Sequence, residues 1–176
     1  QAYEPHPSAH RQDPDAWWRA ACTAVRSLGP IRPDRITFSG TMENLIPVTE
    51  TGEPVGPAIL YSDPCGERFC RDKQQILGAI EAASILGNEP EPLMSAFKIL
   101  WLAESDPEVL SRARWLLLSP KDLLVLRMTG RAVADPTTAT TSGMMNLATR
   151  QWSAELLTAL DIDSRQLPEL LPADAV

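Results

Sequence analysis

The sequence predicts an α/β domain, and three patterns predict it. Helix-start signals recur in which a capping residue precedes proline, at Asp13-Pro14, Asp106-Pro107 and Ser119-Pro120. Apolar residues at helical spacing follow them. Between the helices lie short apolar runs at 36–38, 45–48, 58–61 and 115–118, bounded by turn residues and too short to be helices.

Residues 1–13 are polar, carry two prolines, and read as a loose or extended leader. Asp13 then caps a helix with Pro14 at its first position. Trp17, Trp18, Ala21, Cys22, Val25 and Leu28 give that helix one apolar stripe, and Gly29-Pro30 ends it. Ile36-Thr37-Phe38 reads as a short buried strand closed by Ser39-Gly40. Leu45, Ile46 and Val48 form one arm of a hairpin, with 49–53 as its turn and 58–61 as its return, closed by Asp63-Pro64. A helix is expected over 67–83, apolar at Ile76, Leu77, Ile80 and Ala83, followed by a loop over 86–94 that carries Pro90 and Pro92.

The next helix starts near Ser95 and holds Lys98-Ile99-Leu100-Trp101-Leu102. Asp106-Pro107 opens a short helix through Arg112. Trp115-Leu116-Leu117-Leu118 reads as a strand buried on both faces. Ser119 is expected to cap the helix beyond it, with Asp122 completing an arrangement like a capping box and Thr129-Gly130 as the stop. The stretch 134–143 holds only small or polar side chains; such a segment is either a surface loop or one that lets backbone approach a ligand. A last helix is expected over 153–160, then a kinked, extended tail at 167–172. The strands are few and scattered, so they need further strands beside them to make a full sheet.

Composition narrows the function. The 176 residues carry 16 Lys plus Arg against 23 Asp plus Glu, a net charge of −7, which argues against a nucleic-acid partner. No apolar run approaches the roughly 20 residues needed to cross a bilayer, so no membrane partner is expected. Cys22, Cys65 and Cys70 form no CxxC, and His6 and His10 lie in the leader, so neither structural zinc nor any other metal site is expected. Three cysteines read as reduced thiols, which with the missing signal pattern points to the cytoplasm. P-loop, dinucleotide-fold and nucleophile-elbow patterns are absent.

What remains is carboxylates at strand ends and in small-residue loops: Glu43, Asp63 and Asp135. Asp135, among small neighbours, could accept a proton from a hydroxyl; equally, it could cap a helix with Pro136 at the first position. Glu43 could accept hydrogen bonds from polyol hydroxyls, or be a solvated strand-edge charge.

Runs in order along the chain then carry a resemblance: QDPDAWW at 12–18, ITFSGTM at 36–42, GEPVGPAILYSD at 52–63, KILW at 98–101, LSPKD at 118–122, LRMTG at 126–130, DPTTA at 135–139, WSAELL at 152–157 and LPEL at 167–170. Together they resemble the N-terminal domain of the FGGY carbohydrate kinases, and xylulokinase-like members most. The resemblance implies a ribonuclease H-like, actin-like domain over 14–172, with 1–13 as leader and 173–176 as tail. It implies ATP-dependent phosphorylation of a sugar or polyol, with Asp135 as catalytic base and Met42, Glu43 and Asp63 contacting the sugar. ATP and Mg²⁺ would be held mainly by parts of the family's fold outside this sequence, including a glycine- and threonine-bearing hairpin and a second domain. The intact enzyme would be a candidate homodimer, and this stretch alone would be inactive.

Departures from the family pattern bear on the substrate. Glycerol kinases carry Arg-Glu and xylulokinases Met-His where this chain has Met42-Glu43. Cys65 stands near where the family has arginine, and Leu93 where glycerol kinases have tyrosine. A non-catalytic sugar-binding or regulatory module is the alternative.

Overall fold

The computed structural model describes residues 10–175. The first nine residues of the leader, with His6, lie outside the described residues. Eight short strands and eight α-helices alternate along the chain, an α/β fold with open sheets. Strand β1 (Arg11–Gln12) pairs antiparallel with β3 (Ala58–Ile59), and β2 (Ile46–Val48) pairs antiparallel with β4 (Trp115–Leu117). A bridge between Leu45 and Ile59, with both N–H···O bonds at 2.8 Å, joins the two pairs. The expected hairpin closes through that bridge and through a second between Val48 and Pro54 beside the turn, with Val55 N donating to Pro47 O at 3.1 Å. The ladder partner of β2 is β4.

Alternation along these strands builds two cores, one on each face. Leu45, Ile59, Leu116 and Leu118 face a large core with α2 (Glu67–Ala79), α4 (Ser95–Ser105) and α8 (Ala154–Leu160). Ile46, Val48 and Leu117 face a smaller one with Leu123 and Leu126 of α6 (Pro120–Thr129), and Trp17 of α1 (Pro14–Ser27) packs on its edge. Leu116, Leu117 and Leu118 are fully buried, so β4 and its extension are covered on both sides as the sequence implied. At about 1.5–3 kcal/mol for each fully buried leucine, this strand is a principal source of cohesion.

The helix starts follow the sequence. Asp13 accepts from Asp15 N at 2.9 Å, Asp106 caps α5 (Pro107–Arg112) through Val109 N at 3.2 Å, and Ser153 caps α8 through Leu156 N at 3.3 Å. Three expectations are corrected. Residues 36–38 form no strand: Ile36 is exposed and Phe38 only half-buried, because no described strand lies alongside to take up their backbone groups. The helix expected over 67–83 breaks at Glu81, whose φ is 51°, and resumes as α3 (Ala82–Leu86); the break drops Ala82 and Leu86 into the core. Ser119 does not cap α6. Its Oγ is buried without a partner, and Asp122 instead reaches back to Leu118 N at 3.3 Å. The tail is extended, as expected, and finds a partner: β8 (Glu169–Leu170) pairs parallel with β5 (Val133–Ala134). The remaining pair, β6 (Met145–Asn146) with β7 (Gln151–Trp152), is an antiparallel hairpin.

The stretch 134–143 is small for packing reasons. Its Ser142 O accepts Ala96 N at 2.9 Å, and a Cβ on Gly143, at φ 79°, would lie 3.1 Å from Met94 Sδ and 3.3 Å from Ala96 Cβ. The backbone approaches the protein's own helix α4.

A second close approach fixes the same N-terminal end of α4 from another side. The 3-10 turn at Pro64–Gly66 lies against it so tightly that a Cβ on Gly66 would fall 2.5 Å from Pro92 O and 2.8 Å from Phe97 Cβ. Gly66→Ala should therefore lower stability by about 1–3 kcal/mol, an overpacking cost read as a lower urea midpoint at unchanged m-value. An unchanged midpoint would mean that this contact is loose.

Candidate functional site

The loop 40–44 presents the first group of candidates, and Asn44 holds it. Asn44 is fully buried. Its side-chain amide nitrogen lies within hydrogen-bond reach of Thr41 O at 2.9 Å, Met42 O at 3.0 Å, Thr41 Oγ1 at 3.1 Å and Leu118 O at 3.3 Å. Its Oδ1 accepts Tyr61 N at 3.1 Å, and its carbonyl accepts Ser95 Oγ at 2.8 Å. One residue, through its side chain and its backbone carbonyl, thus ties the loop to the ends of β4 and β3 and to the start of α4. Glu43, immediately before it, sits at φ 61°, a left-handed conformation that costs a non-glycine residue free energy.

Glu43 is half-buried and, among the described residues, takes no hydrogen bond or ion pair. Burial raises its carboxyl above the ordinary value; Lys98 pulls it back down and Glu91 pushes it further up. Met42, its chain neighbour, exposes apolar surface to solvent, and Tyr61, whose backbone N–H bonds Asn44, is also exposed.

Asp63 caps the turn at Pro64–Gly66 through Cys65 N at 2.9 Å, and its other oxygen accepts Arg11 Nε at 2.6 Å. Arg11 also stacks on Trp101, 4.3 Å from the ring centroid. Behind both carboxylates lies Lys98, fully buried, its Nζ donating to Leu93 O. Burial lowers its pKa, while Cys65, Glu43 and Asp63 oppose that shift. Burial, then the charge of Asp63, drives the Cys65 thiol up to about 12, so it is no nucleophile.

The second group centres on Asp135, which caps the short helix α7 (Pro136–Thr140). Oδ1 accepts Thr137 N at 2.9 Å and Thr138 N at 3.1 Å; Oδ2 accepts Thr138 Oγ1 at 3.0 Å and Lys121 Nζ. Burial alone would raise the Asp135 carboxyl, but the Lys121 hydrogen bond and charge, aided by Thr138, outweigh it and hold it at about 2. Lys121 also bonds Asp122 Oδ1 at 2.9 Å; Asp122 is nearly fully buried, and burial lifts it to about 6 against the pull of Lys121. Asp135 borders a cleft of about 480 Å³ whose lining includes Phe38, Lys121, Asp122, Val125 and Leu171.

Glu43 and Asp63 thus gather around Lys98, with Met42 adjoining, while Asp135 opens on a different cleft that none of them lines. The loop 40–44 spans the two, since a Cβ on Gly40 would meet Ser119 Oγ at 2.8 Å and Lys121 N at 3.3 Å. The sequence reading passed over Asn44, Tyr61, Lys98 and Lys121. Lys98 alone had a visible signal, as a charge inside an apolar helix face.

A model of the FGGY family of carbohydrate kinases, N-terminal domain, matches residues 1–176. The chain belongs to that family. It is 34% identical over 178 residues to a xylulose kinase of Klebsiella pneumoniae, spanning 98% of this chain and 36% of the relative. It is 33% identical to the Escherichia coli xylulose kinase, over 94% of this chain and 34% of that one. Among solved structures, a gluconate kinase from Lactobacillus acidophilus superimposes with a TM-score of 0.83 at 26% identity, covering 97% of this chain and 36% of that one. A xylulose kinase from the same organism gives 0.82 at the same identity and coverage. The chain thus spans about a third of the length of the relatives it matches.

The FGGY chain's two aspartates beside Lys121 should titrate with opposite signs. Asp135, held near 2, contributes stability that is present above its ordinary value of 3.8 and is lost as pH falls toward 2. Asp135→Asn keeps a capping side chain but loses the ion pair, so it should cost about 1 kcal/mol at pH 7 and little near pH 2. Asp122, lifted to about 6, contributes stability that is full below 3.8 and is lost as pH rises through 6. The deficit of Asp122→Asn relative to wild type should accordingly shrink between pH 4 and pH 7. Urea midpoints across pH measure both; parallel profiles would refute the assignment.

Proposed function

We propose that this chain is the sugar-cupping part of a kinase that transfers the terminal phosphoryl group of ATP to a hydroxyl of a sugar or polyol. Membership of the FGGY family supports phosphoryl transfer in general. The observation that carries the sugar site is Glu43: a half-buried carboxylate, kept at a left-handed φ, with no hydrogen bond or ion pair among the described residues, next to exposed Met42 in the chain and with exposed Tyr61 anchored on Asn44. Such a carboxylate suits hydroxyl donors, and an aromatic face suits the C–H side of a sugar. Asp63 supports the arrangement from behind through Arg11 and the turn it caps.

FGGY kinases use ATP and Mg²⁺. Among the described residues no group of three or more His, Cys, Asp and Glu side chains could hold a metal ion, so neither the nucleotide nor Mg²⁺ is given a residue in this chain. The ribonuclease H-like assignment over 14–172 belongs to the same proposal, as does a reducing, cytoplasmic setting, with which the free thiols of Cys22, Cys65 and Cys70 agree.

Asp135 enters the proposal as proton acceptor, supported by its place at the border of a cleft. To act so, Oδ2 must part from Lys121 and turn to the hydroxyl. The occupied carboxylate is also the one observation that favours a non-catalytic sugar-binding module. Sugar-dependent ADP release by the intact protein separates the two readings. In that protein Glu43→Gln should raise KM for the sugar about tenfold or more with a smaller change in kcat, since it weakens a bond made in ground and transition state alike. Asp135→Asn should lower kcat by about 10²-fold or more if the carboxylate takes the proton. A near-normal kcat would return Asp135 to capping alone. The isolated chain should release no ADP from ATP.

A further inference from the structure

We infer that the site around Glu43 selects uncharged polyhydroxylated substrates and excludes sugar acids, with Glu43 as the residue that decides. The inference rests on the sugar-site reading above and names its substrate class. A ligand reaching the exposed Met42 side chain comes to its chain neighbour, the Glu43 carboxylate, which has no cationic partner within ion-pair distance among the described residues. Accepting a sugar acid there would require a free cation, and the cluster presents none. Lys98 is fully buried with Nζ turned to Leu93 O. Arg11 is spoken for on both sides, by Asp63 at 2.6 Å and by the Trp101 ring at 4.3 Å.

The remaining charges point the same way. Asp63 lies behind the loop, and Glu91 acts on Glu43 as a further negative charge. Burial already disfavours ionised Glu43, so a second carboxylate placed beside it adds repulsion to a group short of solvation. Neutral hydroxyls do the reverse, since each can donate to the open oxygens and replace lost water. The pairing of Met42 with Glu43 then acquires a meaning. An apolar side chain and an unpaired carboxylate distinguish hydroxyls from a carboxyl group by charge, not by size.

The test uses the intact enzyme with a ketopentose, a pentitol and a five- or six-carbon aldonate. Wild type should show kcat/KM for the aldonate about 100-fold or more below that for the better neutral substrate. Glu43→Gln should cut that ratio by about tenfold or more, lowering the neutral rate and raising the aldonate rate. Equal wild-type use of aldonate and neutral substrate, or an unchanged ratio in Glu43→Gln and in Glu43→Ala, overturns the inference. Ligand-induced shifts in Tm give a second readout that needs no turnover. If nothing is phosphorylated, the kinase reading fails, while stabilisation by neutral ligand and not by aldonate still upholds the charge selection. Stabilisation by both alike ends it.

Discussion

The candidate site depends on one buried amide. Asn44 has no solvent access, yet its side chain and backbone bond to Thr41, Met42, Tyr61, Ser95 and Leu118. Thr41 and Met42 belong to the loop itself, and Tyr61, Ser95 and Leu118 to three different pieces of the site's wall. The sheet fixes Leu118 and the approach to Tyr61, α4 fixes Ser95, and only then is the loop 40–44 fixed, because it has no regular structure of its own. A buried amide left without partners costs about 1–3 kcal/mol, so every arrangement of the loop that breaks this set is disfavoured. That penalty is comparable to the cost of holding Glu43 at φ 61°. The strained residue persists because its neighbour is over-determined.

Lys98 extends the same logic to charge. An ammonium with zero exposure is costly unless paired, and its one hydrogen-bond partner is a backbone carbonyl. What keeps it tolerable is the field of the Glu43 and Asp63 carboxylates, both of which favour its charged form. The close packing of Gly66 on α4 brings Asp63 within range. Backbone packing and site electrostatics are therefore one feature. Loosening the turn would strand the ammonium.

Legibility in the sequence followed the range of the interaction. Asp13 and Asp106 announced helices because a cap is decided within four residues. Trp115-Leu116-Leu117-Leu118 announced a doubly covered strand because every position in it is apolar. Ser119 looked like an equally good cap, but Gly40, far away in sequence, crowds its hydroxyl. Residues 36–38 have strand composition and no strand neighbour, and a strand is a property of two segments. Of the site residues, Glu43, Asp63 and Asp135 stood out by type and by turn context. Asn44 and Tyr61 did not, since their roles exist only once segments 17 and 74 residues apart are joined.

The two acidic candidates differ in how much of their acceptor capacity is already used. A carboxylate offers about four acceptor positions. Asp135 has four donors on it, two backbone N–H groups, a threonine hydroxyl and the Lys121 ammonium, and its low pKa is the electrostatic signature of that saturation. Glu43 has none, and its pKa is raised. A substrate hydroxyl brought near Asp135 must compete with an ion pair, whereas one brought near Glu43 fills a void in its solvation. In the proposed kinase, initial recognition of a polyol would therefore fall to Glu43. Asp135 can join the chemistry only after something draws Lys121 away, and a negatively charged group entering the cleft that Lys121 lines is the kind of group that would.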